Sequence, residues 1–498
     1  MAVIAIYALR LDHAVGLIVD DAWYVVLAKA LAEGQGFRLI SSATAAIMPA
    51  VPPGFPAILS PIFLISSFPE NLIWLKLVSV LAMLATGVVC WIDFTRYRDV
   101  PPAHALLLAA ATVITPAFVF LATSTVMAEC AFTLAQLLAV VLVERVARDR
   151  HASDRSAVIA GLAGAATILI RLLGVAVVGA SIAYLLINRR WRQAAVLAGT
   201  VIVCMVPWQL YARAHQPTID ERVANGGTIA YSYQQLLAMR RPGDTRAGEA
   251  SVTERIVRAG RNAADIAGRD VGAILVPSFY RGPSESGQEL LSVVGGVSQT
   301  GSMGRGAAIV TVSAVLTALI VFGISRQRRD WLSMPALVIV ASLLVIVAVG
   351  SQTFRYLVPL TPYLLLFFWR AFGSGAAARI AVLCVAGFNL IDHGLYIHQK
   401  LTGTPPWLAE FSENDEILTW MSEHVTEPGA VASTNPGLVY LRTGRKGVVY
   451  LFPEENQANW KAAGVRYIVA LKPAELPPPS LKTRLLFRTK HRLWIVEM

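Results

Sequence analysis

Two adjacent carboxylates, Asp20 and Asp21, follow the first apolar segment and open a stretch that ends at Pro52-Pro53-Gly54-Phe55-Pro56. One aspartate alone would most simply cap the helix predicted over Ala22 to Ala32, by accepting hydrogen bonds from its free amides. Two in a row weaken that interpretation, because only one can cap and the other must be stabilised beside a like charge. The pair therefore suits a general base next to a carboxylate that binds a metal or orients an acceptor hydroxyl.

Three further charged residues, one acid and two arginines, lie near the predicted outer ends of apolar runs. Glu129 begins an apolar run after a predicted tight external turn, where it could equally be an end-of-helix charge near the headgroups. Arg171 and Arg355 each lie in apolar sequence near the predicted outer end of a helix. A lone arginine there can snorkel to the surface. Two of them at one level, facing carboxylates, favour an anionic ligand such as phosphate.

Clustered carboxylates also suggest a divalent metal, with Asp21 and Glu129 as the candidate ligands. His393 and His398 have no partner at ligand spacing, so we predict that they are interfacial residues. The four cysteines lie singly within apolar runs, at positions 90, 130, 204 and 384. We therefore expect neither a disulfide framework nor a cysteine metal site.

The elements that must position these residues are apolar. The chain of 498 residues is 55% hydrophobic and 15% charged, and long apolar runs recur along most of it, which indicates a polytopic helical membrane protein. Most of the arginines behind the net charge of +11 lie in short loops between these runs. Because this is the positive-inside pattern, the charge indicates topology, and we expect no nucleic-acid partner.

We predict about eleven membrane spans from these runs. The first, Ala2 to Leu9, is shorter than the roughly 20 residues that a span needs, so we expect the true start of the chain to lie upstream. Two short helices within Val158 to Leu186 would meet at Arg171. The other spans are predicted near residues 72–94, 103–121, 130–143, 196–211, 307–324, 332–349, 354–369 and 380–395.

These spans would form a membrane domain over residues 1–397, with external loops at about 20–70 and about 212–305. The longer loop holds a candidate amphipathic helix, Val252 to Ile266, and could gate or cover the site. Composition changes after the last span, so we predict a small extracytoplasmic α/β domain over residues 398–498. Its short β-like runs lie at 430–432, 448–451, 465–471 and 493–496.

In five features the chain resembles the GT-C superfamily of membrane glycosyltransferases. The nearest groups are the protein O-mannosyltransferases with the aminoarabinose transferases, and the Rgt-type lipopolysaccharide galacturonosyltransferases. The features are Asp20-Asp21 with Tyr24 and Ala28, the Pro-Pro-Gly-Phe-Pro turn at 52–56, Met127-Ala128-Glu129, Ile170-Arg171 with Gly174, and the Phe-Arg-Tyr-Leu-Val-Pro run at 354–359.

This resemblance implies an all-α GT-C membrane fold in which Asp20, Asp21 and Glu129 line the active site. It also implies a sugar donor linked to polyprenyl phosphate, among membrane lipids, and transfer to an envelope acceptor such as lipid A, a glycan, another lipid or a protein. The site and the C-terminal domain would lie on the extracytoplasmic side of a bacterial cytoplasmic membrane.

The predicted chemistry is a single displacement that inverts the anomeric centre. Asp20 or Asp21 would take the proton of the acceptor hydroxyl, and Arg171, Arg355 and Tyr356 would bind the departing phosphate. Two other classes stay open, a secondary transporter or lipid flippase and a non-catalytic subunit of an envelope assembly complex. Transporters favour internal repeats and charges deep within several spans, and the sequence shows neither.

Overall fold

We describe the protein from a computed structural model, and the helices dominate it up to Thr402. The described residues are 2–45, 47, 51–149, 151–216, 233–241, 244–276, 303–326, 331–348, 353–404, 406–450, 453–471, 476–490 and 493–498. A mixed sheet with its own helices follows in the C-terminal region. The predicted combination of a helical part and a small sheet region is therefore confirmed.

The helices up to Thr402 are numbered here along the chain. They are α1 (Ala2–Arg10), α2 (Asp20–Ala32), α3 (Gly54–Phe63), α4 (Leu72–Tyr97), α5 (Pro102–Val113), α6 (Pro116–Thr123), α7 (Glu129–Arg148), α8 (Asp154–Ile170), α9 (Gly174–Ile187), α10 (Trp191–Ala214), α11 (Tyr233–Ala238), α12 (Val252–Asp265), α13 (Val271–Leu275), α14 (Met303–Ser325), α15 (Met334–Ile346), α16 (Phe354–Leu357), α17 (Thr361–Ala371) and α18 (Ala376–Thr402). A hairpin of β1 (Met239–Arg241) and β2 (Asp244–Glu249) precedes α12.

Four of these helices, α4, α7, α10 and α18, are long and apolar enough to cross a membrane. The pair α5 and α6 would make a fifth span, bent by 50°. The bend follows from Pro116, which lacks an N–H and cannot continue a helix from the preceding turn. These helices indicate a multi-pass membrane protein in the described part of the chain, and the count of about eleven spans stays a prediction.

Two local predictions from the sequence are confirmed. The apolar stretch 158–186 is two helices, because α8 ends at Ile170 and α9 begins at Gly174, with Arg171 in extended conformation between them. The amphipathic helix predicted at 252–266 is α12. The Pro-Pro-Gly-Phe-Pro run differs from expectation, since α3 already begins at its glycine. Pro56 is tolerated there because first-turn residues need no N–H donor.

The C-terminal region contains one sheet of five strands. Its elements are α19 (Pro406–His424), β3 (Ala430–Ser433), α20 (Pro436–Thr443), β4 (Gly447–Val449), α21 (Pro453–Ala462), β5 (Val465–Ala470), β6 (Arg484–Arg488) and β7 (Trp494–Glu497). The strand order is β4-β3-β5-β7-β6, in which β3 pairs in parallel with β4 and β5, and β7 pairs antiparallel with β5 and β6. Four of these strands match the predicted runs, and β6 was not predicted.

This region packs directly on the loop that carries the acidic pair. The Gly447 N–H donates to the Ser41 carbonyl at 2.8 Å, beside a parallel bridge to Ser42. Upstream of the acids, Asn435 Nδ2 donates to the Gly16 carbonyl at 2.9 Å. The C-terminal region therefore contacts the chain on both sides of α2. The domain boundary at 397/398 stays a prediction, and α18 runs past it.

Candidate active site

The acidic pair lies at a sharp turn into α2. Val19, the residue before the helix, has φ +66°, a conformation that costs a β-branched residue about 1–3 kcal/mol. Asp21 holds the turn, since its carboxylate accepts hydrogen bonds from the N–H groups of Gly16 at 2.8 Å and Ala22 at 2.9 Å. Neither aspartate caps the helix in the simple way, because no side-chain cap bond forms at Val19.

The environments of the two aspartates differ. Asp21 is fully buried, and burial raises the pKa of its carboxyl to about 6, although the hydrogen bonds from Gly16 and Ala22 act in the opposite direction. The Asp20 side chain is 35% exposed and forms an ion pair with Arg355. Of the two, Asp20 is therefore the carboxylate that a substrate can reach.

A chain of ion pairs joins four distant parts of the sequence at this point. Arg355 Nη2 lies 2.7 Å from Asp20 Oδ2, and Arg355 Nε lies 3.2 Å from Glu129 Oε1. The same Glu129 oxygen forms an ion pair with Arg171. Glu129 is fully buried, and its Oε2 has no hydrogen-bond partner among the described residues. The arrangement concentrates two guanidinium groups and two carboxylates at one site, in which Glu129 is buried and Asp20 is partly exposed.

Helix α7 carries Glu129 and is also hydrogen-bonded to the segment that carries Arg355. Glu129 is the first residue of α7, where the helix dipole favours a negative charge. Gln136, seven residues on and on the same face, donates from Nε2 to the Pro359 carbonyl at 2.9 Å. This bond ties α7 to the segment that carries Arg355. The sequence analysis did not single out Gln136, although an amide within an apolar span is a recognisable signal.

Two glycines bring other elements close to Arg171. A Cβ on Gly174 would lie 2.4 Å from the backbone at Thr167 and Ile168, so only glycine allows α9 to start so near the end of α8. A Cβ on Gly54 would lie 2.6 Å from the Leu169 carbonyl oxygen. The Pro-Pro-Gly-Phe-Pro turn therefore packs on the last turn of α8, immediately before Arg171.

Two tyrosines complete the surroundings. The Arg171 guanidinium lies over the Tyr356 ring, with its central carbon 4.9 Å from the ring centroid, a cation–π contact that fixes the plane of the arginine. Tyr24 is one turn after Asp20 on α2, and its ring meets Phe55 edge to face at 5.1 Å. Burial raises the pKa of the Tyr24 phenol well above its ordinary value, so the phenol stays a hydrogen-bond donor beside the charged groups.

Of the residues singled out in the sequence, the structure brings Asp20, Glu129, Arg171 and Arg355 together and stacks Tyr356 on Arg171. It does not direct Asp21 into this cluster.

The candidate metal ligands do not fit a cation. The Asp21 oxygens accept bonds from Gly16 and Ala22, and Glu129 already faces two guanidinium groups, whose positive charge opposes a bound cation. Within the described ranges, no group of three or more His, Cys, Asp and Glu residues could hold a metal ion. We therefore derive no step through a metal.

The structure adds one buried charge to those singled out in the sequence, and it corrects one expectation. Lys76 is fully buried within α4, and its Nζ donates to the Asp12 carboxylate at 2.8 Å and to the carbonyls of Asp12 at 2.7 Å and Thr123 at 3.0 Å. This single charge lies near the start of the span and is fully paired, so it does not contradict the expectation that charges are absent deep within several spans. His393 is inside the helix bundle rather than interfacial, between Arg10 and the Ile114 carbonyl.

Neither a protein-family model nor a curated protein sequence matches the chain. Solved structures do match, and three of them are described here. ArnT from Cupriavidus metallidurans bound to undecaprenyl phosphate is 13% identical, with a TM-score of 0.50, over 100% of this chain and 96% of that one. The oligosaccharyltransferase of Archaeoglobus fulgidus with zinc and sulfate is 15% identical, with a TM-score of 0.53, over 91% of this chain.

The third structure is AglB from Archaeoglobus fulgidus in complex with an inhibitory peptide and a dolichol-phosphate. It is 13% identical, with a TM-score of 0.50, over 91% of this chain. The chain spans 65% of that protein, and 63% of the zinc complex, but nearly the full length of ArnT. The identities are low, so the likeness concerns the fold. The chain has the fold of these structures, which is the GT-C fold that the resemblance implied.

Proposed function

We propose that this protein is a membrane glycosyltransferase, which transfers a sugar from a polyprenyl-phosphate donor to an envelope acceptor. The observation that carries the proposal is the chain of ion pairs from Asp20 through Arg355 and Glu129 to Arg171. It combines a reachable base with two guanidinium groups, which is what sugar transfer from a phosphate requires. Two structures of similar fold support the donor class, since ArnT holds undecaprenyl phosphate and AglB holds a dolichol-phosphate.

The two arginines bind the donor phosphate. A guanidinium group presents paired N–H donors that match phosphate oxygens, and Tyr356 and Glu129 keep Arg171 in place. Arg355 pairs with the Asp20 side chain, which is partly exposed. A phosphate that enters the site competes for this guanidinium and releases the Asp20 carboxylate toward the acceptor.

The reaction is a single displacement at the anomeric carbon. The acceptor hydroxyl oxygen forms a bond to that carbon, its proton passes to Asp20, and the bond from the carbon to the phosphate oxygen breaks. The phosphate leaves with the electron pair, and Arg171 and Arg355 stabilise its charge. Attack from the face opposite the phosphate inverts the configuration. The donor lipid explains why the site belongs to a membrane protein.

The test compares cells that carry the wild-type gene, cells that lack it and cells that carry Asp20→Asn. Sugar transfer is measured by mass spectrometry of their envelope lipids and glycans. Loss of a general base lowers rates by about 10²–10⁴-fold, so we expect the sugar modification to disappear while the protein still accumulates. Asp154→Asn is the matched control, because Asp154 forms an exposed ion pair with Arg192 at 2.6 Å. Unchanged transfer by the Asp20 variant would overturn the proposed base.

Asp21→Asn separates the roles of the pair. An amide offers one acceptor oxygen where the carboxylate offers two, so one of the N–H groups of Gly16 and Ala22 loses its partner. A buried unsatisfied group costs about 1–3 kcal/mol, and we expect a lower unfolding temperature in detergent. Donor binding should survive in the molecules that stay folded. A variant with wild-type stability and no transfer would instead make Asp21 the catalytic base.

We place the site on the extracytoplasmic side of a bacterial cytoplasmic membrane. Glu129 begins α7, and Arg145 and Arg148 end it, so the positive-inside rule puts the arginine end in the cytoplasm and the site outside. Glu70→Cys, at an exposed position just before α4, tests this by reaction with a membrane-impermeant maleimide. Labelling in intact spheroplasts is expected, and labelling only after lysis would reverse the orientation.

A further inference from the structure

The amphipathic helix α12 is well defined at its start and packs few of its side chains. Ser251 and Glu254 form a complete capping box, with Ser251 Oγ accepting from the Glu254 N–H at 3.2 Å and the Ser251 N–H donating to Glu254 Oε2 at 2.7 Å. None of the residues from 252 to 265 is buried. Because no residue of α12 is buried, burial of its apolar side in the protein core cannot hold the helix in position. The exposure of that apolar side must have another cause.

The apolar residues of α12 form one continuous face. Val252, Ile256 and Val257 are 73%, 66% and 55% exposed. At about 100° per residue, they fall in an arc of roughly 160° with the small residues Ala259, Gly260, Ala263 and Ala264. This face is exposed although it is the most apolar side of the helix.

The polar side of α12 faces the protein. Arg258 Nη2 donates to the Met239 carbonyl of the hairpin at 2.7 Å, and Asn262 Nδ2 donates to the Val347 carbonyl, just after α15, at 2.9 Å. In a water-soluble protein the apolar side of a surface helix faces the core and the polar side faces solvent. Here the arrangement is reversed, so the medium beyond the apolar face must itself be apolar.

Charge completes the pattern. On the helical wheel, Arg255 and Arg261 each lie about 40° beyond an edge of the apolar arc. Arg261 can extend along the apolar surface and keep its guanidinium group among lipid phosphates. Arg255 instead donates from Nε to the Ala250 carbonyl at 3.0 Å and pairs with Glu249 at 3.6 Å. An exposed apolar arc with an arginine at its edge fits a bilayer surface, where lipid phosphates lie beside the acyl chains.

We propose that α12 is an interfacial helix, with its apolar face immersed in the headgroup region of the bilayer. The chain continues from α12 through a π-helix, Ile266–Asp270, into the buried interior. Thr353 Oγ1 donates a hydrogen bond to the Asp270 carboxylate, and Arg355 follows two residues later. One hydrogen bond therefore connects the lipid-seated helix with the segment that carries Arg355.

The test uses a fluorophore on a single cysteine, with the whole protein in vesicles of phosphatidylethanolamine and phosphatidylglycerol. The half-buried Cys204 and exposed Cys384 are replaced by serine, and the buried Cys90 and Cys130 remain. The probe is placed by Ile256→Cys on the apolar face, or by Asp265→Cys on the polar side as the matched control. We expect brominated lipids to quench the probe at 256 at least threefold more strongly than the probe at 265.

Every other outcome overturns the proposal. Quenching of the 256 probe by aqueous iodide and not by brominated lipid would show that the apolar face lies in water. Insensitivity to both quenchers would show a protein cover, from this chain or a second copy. The measurement needs no sugar donor, so its result is independent of whether the protein transfers a sugar.

Discussion

Arg355 is the residue on which the two halves of the candidate site depend, because it contacts Asp20 and Glu129 through different nitrogens. Lysine carries the same charge on one nitrogen and cannot reproduce both contacts. We therefore expect Arg355→Lys to lower transfer tenfold or more, since one charge-assisted hydrogen bond is worth about 1.5–3 kcal/mol. The loss should appear mainly in the KM for the lipid donor.

The control for this variant is Arg192→Lys, which changes an exposed arginine in an ion pair with Asp154. Exposed pairs contribute about 0–1 kcal/mol, so the control should keep its transfer rate. Steady-state rates at several donor concentrations separate the KM from kcat. An Arg355→Lys enzyme with the wild-type KM would contradict phosphate binding by this residue.

The sequence was sufficient to predict which charged residues lie together, but it was not sufficient to predict the role of each one. Charges within apolar sequence stand out, and Asp20, Glu129, Arg171 and Arg355 were found on that ground. The sequence could not separate Asp20 from Asp21, because that distinction depends on the turn at Val19 and on where the Gly16 N–H points. Both are properties of the folded loop.

Among the elements, α4 depends on a charge that the sequence analysis overlooked. Lys76 lies at the start of this span and joins it to Asp12, after α1, and to the end of α6 at Thr123. Removing one partner of a buried ion pair costs about 3–5 kcal/mol, because the other charge stays buried without compensation. We expect Lys76→Met to lower the unfolding temperature in detergent markedly.

The matched control is Lys29→Met, since Lys29 forms a partly exposed pair with Glu33 one turn along α2. Such a pair on a helix surface contributes about 0.3–0.5 kcal/mol, so this variant should unfold close to the wild-type temperature. Equal shifts for the two variants, measured in the same detergent, would show that the Lys76 pair does not hold α4 to the loop after α1.

For the helices and strands, local features of the sequence explain which elements could be predicted and which could not. The break at Arg171 is visible because a charge interrupts apolar sequence, and α12 is visible through its periodicity. The bend between α5 and α6 was missed, although Pro116 signals it. Strand β6 was missed because arginines begin and end it, as is common at the exposed edge of a sheet.

For the whole molecule, nothing in the sequence predicted that the C-terminal region packs on the acidic loop. Contacts between residues more than 400 positions apart, such as Asn435 with Gly16, leave no periodic trace in either segment. Asn435 also caps α20 by accepting from the Leu438 N–H at 3.1 Å. One side chain therefore fixes both the start of α20 and the loop that donates to Asp21.

Gly16→Ala tests whether this contact positions the acidic pair. Gly16 has φ +88°, and a Cβ there would lie 2.8 Å from Asn435 Nδ2 and from Leu438 Cδ2. Gly34 is the matched control, with φ +71° and nothing within 4 Å of its Cβ position. Both alanine variants incur the backbone strain of about 1–2 kcal/mol, so their difference isolates the contact with the C-terminal region.

We expect Gly34→Ala to keep most of its transfer activity and Gly16→Ala to lose it, with a lower unfolding temperature, because the displaced loop no longer presents its N–H to Asp21. Combining Gly16→Ala with Asn435→Ala completes a double-mutant cycle. Residues in direct contact show coupling of about 0.5–3 kcal/mol, and removal of the Asn435 side chain relieves part of the clash. Equal losses for the two glycine variants, or strictly additive effects in the cycle, would mean that the C-terminal region rests on the loop without positioning the acids.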